Sequence, residues 1–158
     1  MATVKTKQYH LRQFGGVSPF GNLTSLTFSL STNSTGVVEN SDASTALAIG
    51  DVVDLGPLPE GFRLEDADVF VTTGMTATIT GKLGFKYEDG VDSTAVPQDD
   101  AYFGTGIDLA TAGRKRATGS KLVTLPKPAR LILTTAVAAN AKASDIKVRV
   151  TGELTGPR

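Results

Sequence analysis

Residues 50–85, GDVVDLGPLPEGFRLEDADVFVTTGMTATITGKLGF, leave the backbone little choice, because their period-two patterning is interrupted only by residues that make turns. From Thr76 onward, Ala77, Ile79, Leu83 and Phe85 share one parity, while Thr76, Thr78, Thr80, Lys82 and Lys86 hold the other. Such alternation marks a strand with one wet face. In residues 63–73, Ala67, Val69 and Val71 share a parity with Glu65 and Thr73 at the ends, and the short turn Thr73-Gly74-Met75 predicts that the two strands form a hairpin. Upstream, Gly56-Pro57-Leu58-Pro59-Glu60-Gly61 excludes helix, since proline fixes φ and has no amide donor while glycine tolerates positive φ. It reads as a loop between strands.

The rest of the chain fits the same pattern. Residues 23–31 place Leu26, Phe28 and Leu30 inward, and residues 145–154 do the same with Ile146, Val148, Val150 and Leu154. A weaker strand is predicted over 36–39 and further strands over 46–55, 122–125 and 129–137, with Pro126-Lys127-Pro128 marking a sheet edge or corner. Residues 87–106 read as a long surface loop, 107–121 as an exposed stretch around Arg114-Lys115-Arg116, and 136–143 as a loop or single turn with Asn140 in its middle. Residues 1–22 scatter Tyr9, Leu11, Phe14 and Phe20 among polar neighbours, too sparsely to fold on themselves. They are read as an extended arm that either lies across the body of the domain or inserts into a neighbouring subunit. Some eight strands and no useful helix give an all-β fold, a single-domain β-sandwich of jelly-roll type over residues 23–158 with the arm over 1–22.

Composition narrows the function. A length of 158 residues suits one domain, and the absence of cysteine removes disulfides and thiolate metal sites. Sixteen basic and sixteen acidic side chains balance, which argues against a protein that mainly grips nucleic acid or an anionic membrane. MATVKTKQYH is polar where a secretory signal would be apolar, so folding in the cytosol is the expectation.

Catalytic chemistry finds little to work with. The single histidine, His10, sits in the arm, where nothing would hold a general base against its partner. The carboxylate pairs Asp66-Asp68, Glu88-Asp89 and Asp99-Asp100 read as solvated faces, and no cofactor or metal is assigned. The Arg114-Lys115-Arg116 triplet reads as a solubilising loop tip that could also meet phosphate or an acidic protein surface, although it lacks interleaved aromatics for stacking on bases.

The run Gly50-Asp51-Val52-Val53-Asp54-Leu55-Gly56-Pro57-Leu58-Pro59-Glu60-Gly61, with Leu64 and residues 66–71 after it, resembles the head decoration or cement proteins of tailed bacteriophages, small β-sandwiches on short-tailed phage heads such as that of a Bordetella phage. Residues 83–87, 91–93 and 148–152 are similar in character, and the resemblance runs from about residue 46 to the last residues. It implies a non-enzymatic virion protein that binds the outside of a capsid assembled in the host cytoplasm and bridges neighbouring major capsid subunits. A dimer or trimer is expected, with Tyr9, Leu11, Phe14, Phe20, Arg114, Lys115 and Arg116 as candidate partner contacts and with no direct nucleic-acid or membrane partner. The alternative is a jelly-roll carbohydrate-binding module of a virion adhesin or tail fibre, in which Tyr87, Tyr102 and Phe103 would stack on sugar rings.

Overall fold

The computed structural model describes residues 1–6, 21–117, 119 and 121–155. The strands are β1 (Thr3–Lys5), β2 (Leu23–Thr32), β3 (Val52–Leu58), β4 (Phe62–Thr73), β5 (Thr80–Tyr87), β6 (Asp99–Asp108), β7 (Gly113–Ala117), β8 (Val123–Thr124), β9 (Ala129–Ala136) and β10 (Ser144–Leu154). One sheet has the order β1-β3-β9-β5-β6; the other has β2-β10-β4-β7, with β8 also pairing β4. The protein is therefore an all-β, single-domain sandwich without a helix among the described residues.

The alternating sets meet between the sheets. Leu26, Phe28 and Leu30 of β2, Ala67, Val69 and Val71 of β4, and Ile146, Val148 and Val150 of β10 are buried against Val53, Leu55, Leu83, Phe85, Leu131 and Leu133 of the first sheet. Each of these side chains larger than alanine contributes about 1.5–3 kcal/mol relative to an exposed one. Val148 sits in register between Phe28 and Val69, so one layer of the core spans three adjacent strands. Strand β9 is buried on both faces. Leu131 and Leu133 enter the core, and on the other side Arg130 Nε donates to both Asp54 oxygens at 3.0 and 3.2 Å.

Several sequence expectations change here. The hairpin expected across Thr73-Gly74-Met75 does not form: β4 and β5 belong to different sheets, and residues 74–79 cross between them. Met75 N donates to Leu109 O, Thr78 takes a positive φ of 72°, and Ile79 is buried in the crossing, while Ala77 is exposed. Gly74 passes so close to the Ala110 carbonyl that a Cβ would overlap it, so the crossing requires glycine there. Gly56, Pro57 and Leu58 are not loop but the end of β3, which shifts register between Asp54 and Gly56. Proline is tolerated there because β1 pairs only Val52–Asp54, leaving the far side of β3 with no described strand partner. The turn itself is confined to 59–61. Residues 46–51 are turns and a bridge rather than strand, and 36–39 contribute only isolated bridges.

The long loop expected over 87–106 is half as long. Residues 99–108 form β6, whose Tyr102 and Phe103 pack edge-on at 4.8 Å. The Pro126-Lys127-Pro128 segment carries the chain from β8 in one sheet to β9 in the other, a corner as expected. Of the arm expected over 1–22, Thr3–Lys5 pair parallel to β3, with Ala2 N and Lys5 N donating to Asp51 and Asp42.

Candidate functional site

Period-two patterning sends alternate residues of β4, β7 and β10 to the outside of the second sheet, where they build a face of ion pairs. Cross-strand register sets Asp68 between Arg149 of β10 and Arg116 of β7, and sets Phe70 opposite Arg114. Arg114 grips Asp68 with two parallel bonds, Nε to Oδ1 at 2.8 Å and Nη2 to Oδ2 at 3.0 Å. Arg149 Nη2 adds a third at 2.6 Å. Both guanidinium groups also lie over the Phe70 ring, 5.5 and 5.3 Å from its centroid. Beside this group, Arg116 donates to Asp66 at 2.9 Å, and Arg63 bridges Glu65 and Glu153 at 2.8 and 2.5 Å.

The electrostatics follow from that geometry. Arg114, seconded by Arg149, holds the Asp68 carboxyl below the usual carboxylate range despite burial acting the other way. Its side chain is 7% exposed, against 57% for Arg114, so the acid is roofed by its own partners. Lys115 points the other way from its neighbours and reaches Asp108 at 3.4 Å. The triplet Arg114-Lys115-Arg116 is thus not a loop tip. It lies on a strand, and each of its cations already has a carboxylate. A phosphate would have to displace those partners, and the face as a whole is close to neutral.

The other sequence candidates fare differently. Tyr9, Leu11, Phe14, Phe20 and His10 lie outside the described residues. Tyr87, Tyr102 and Phe103, the side chains that sugar stacking would need, are buried at 1%, 8% and 1% exposure. Tyr87 Oη donates to Val96 O, and Tyr102 Oη bonds to Lys121 O and Leu64 O, so both rings are core side chains with satisfied hydroxyls. Among the described residues no three His, Cys, Asp or Glu side chains are grouped as metal ligands would be. Arg149, Phe70 and Arg63 escaped the sequence reading. The legible signal was spacing: Asp66 and Asp68 stand two apart, as do Arg114 and Arg116, the match that antiparallel neighbours require.

No protein-family model and no curated protein matches the sequence. Solved structures do match. A chain of the Ralstonia phage GP4 capsid superposes with a TM-score of 0.69 at 18% identity, over 99% of this chain and 100% of that one. A chain of the cyanophage Pam1 capsid asymmetric unit gives 0.57 at 19% identity, over 93% and 94%. One from the acid-stable capsid of Helicobacter pylori bacteriophage KHP30 gives 0.51 at 17% identity, over 85% and 94%. At these identities the likeness is one of fold.

Proposed function

We propose that this chain is a non-enzymatic structural protein of a phage virion, one that binds the outer surface of the capsid and stabilises it by bridging neighbouring major capsid subunits. The observation that carries the proposal is the end-to-end likeness to a chain of the GP4 capsid: both chains are covered almost completely, so the similar protein is itself a lone sandwich of this size. Strand order adds support. With β1 and β8 set aside, β2-β10-β4-β7 faces β3-β9-β5-β6, and successive strands change sheet at nearly every connection. That interleaving favours a jelly roll, an architecture used by viral capsid domains.

The partner in this reading is the major capsid protein, met on the particle surface after assembly in the host cytoplasm, with the protein itself a dimer or trimer. The large apolar side chains of the arm, Tyr9, Leu11, Phe14 and Phe20, serve as anchors. Stable interfaces bury about 1,200 Å² or more in total, which favours a protein that adds an arm to its compact face. The test is co-sedimentation of the purified protein with undecorated heads. Saturable binding is expected for the full chain; a full-length protein that stays in the supernatant refutes the proposal.

A further inference from the structure

One end of the sandwich is built differently from the rest. Residues 33–37, 46–51, 74–79, 109–112 and 137–143 gather there, stitched by backbone bonds from Asn140 N to Leu47 O, Leu47 N to Gly36 O, and Met75 N to Leu109 O. One residue in five of the chain is charged, yet these segments hold only Asp51, which is buried, and Lys142. Ile49 and Val137 stand 60% and 62% exposed, with Ala77, Ala139 and Ala141 exposed around them. The opposite end, formed by residues 59–61, 88–98 and 121–128, carries Glu60, Glu88, Asp89, Asp92, Lys121 and Lys127.

This charge-poor end is also tightly tied together. Buried Asn140 donates from Nδ2 to Thr32 Oγ1 at 3.0 Å and Lys142 O at 2.9 Å, and its Oδ1 accepts from Thr76 N at 3.1 Å. Gly36 packs so closely under the Asn140 carbonyl that a Cβ would overlap it. Two β-branched residues, Thr78 and Val137, are held there at φ of 72° and 76°, a conformation they adopt only when their surroundings impose it.

Resting on the reading of the chain as a capsid-surface protein, we propose that this end is the seat: it docks on an uncharged patch of the shell subunit, with Ile49 and Val137 entering an apolar recess. Depletion of charge at the centre with a polar rim is the composition of an interface core. Here Asp108 and Asp145, at the ends of β6 and β10, begin the rim. Size selects the occupant. Fourteen exposed residues in these segments fall short of the roughly 20–30 a side of a stable two-body complex. Two copies joined here alone would separate, whereas a shell offers each copy further simultaneous contacts, and linked weak contacts multiply.

The experiment measures binding to undecorated heads for the wild type, the double variant Ile49→Asp/Val137→Asp and Arg116→Glu, at ~50 and ~500 mM salt, beside the melting temperature of each. The wild type is expected to bind with little salt dependence, Arg116→Glu, on the side of the sandwich away from the seat and already paired with Asp66, nearly as well, and the double variant at least about tenfold more weakly. Its melting temperature should not fall, because both sites are exposed and aspartate tolerates positive φ better than valine. A double variant that binds like the wild type overturns the seat while leaving the capsid role standing. Strong salt dependence with a large loss in Arg116→Glu moves the seat to the arginine face. Self-association that the double variant abolishes makes the occupant a second copy, and a wild type that binds no heads removes the capsid role and the seat together.

Discussion

Replacing Asn140 with alanine tests how the charge-poor end is held. The side chain is 2% exposed and joins three segments distant in sequence: Thr32 at the end of β2, Thr76 in the crossing to β5, and its own loop. Alanine removes four polar contacts, but the loss is uneven. Lys142 O keeps its bond from Thr32 Oγ1 at 2.9 Å, and the Thr32 and Thr76 hydroxyls retain Ser144 Oγ and Ala141 N. Thr76 N is left without its acceptor. An unsatisfied donor costs about 1–3 kcal/mol when buried, with half-buried Thr76 at the low end, and each lost bond costs about 1, so a loss of about 2–3 kcal/mol is expected. For a domain of this length that is a fall in melting temperature of about 4–12 °C, read by circular dichroism in the strand region. A shift below about 2 °C would refute the network as a structural tie. Asn140→Asp sharpens the test: its carboxylate can still accept from Thr76 but cannot donate to Lys142 O, so the variant should regain stability as acid protonates it.

Val148→Asp places an uncompensated charge between Phe28 and Val69 at a position with no exposure, and should leave no cooperative unfolding transition; a soluble variant with the wild-type melting temperature would contradict the assigned core layer. Gly61 has a φ of 73° in the turn between β3 and β4, where its N–H donates to Leu125 O and its carbonyl accepts from Thr155 N. Gly61→Val should lower the unfolding free energy by about 1–3 kcal/mol in urea titration, and an unchanged midpoint would mean that the turn is not held at positive φ. Asp68 titrates below its unfolded value, so its contribution to stability is present above about pH 4 and disappears as pH falls through the lowered folded value. Asp68→Asn should therefore be less stable than wild type at pH 7 and lose less on acidification; parallel stability curves down to about pH 2 would show that the arginine pair does not matter to folding.

What the sequence made legible is what alternation encodes. The inward sets of β2, β4 and β10 could be read residue by residue because each strand has one wet face, and Ile146, Val148 and Val150 are all fully buried. Strand β9 gave no parity, since both of its faces are covered. Pairing was harder. Thr73-Gly74-Met75 has the length of a hairpin turn, and only the pairing of β4 with β10 and β7 and of β5 with β9 and β6 shows that the chain changes sheet there. The proline run misled because proline excludes helix and central strand but not the unpaired side of an edge, which is where Pro57 sits. Tyr102 and Phe103 looked loop-borne because Asp99, Asp100, Gly104 and Gly106 surround them; in β6 the glycines permit bends and the aromatics turn inward. The arginine face was half visible: matching spacings of Asp66-Asp68 and Arg114-Arg116 can be read in the chain, but Arg149 joins them only through the register of β10 on β4.

The most direct test is a cryo-electron microscopy map of the native particle. The expected result is a two-sheet sandwich of this size outside the shell, touching at least two neighbouring major capsid subunits, with the end bearing Ile49 and Val137 toward the shell and the end bearing Glu88 and Asp89 toward solvent. Density for this fold on the inner face of the head, or only on the tail, would contradict it.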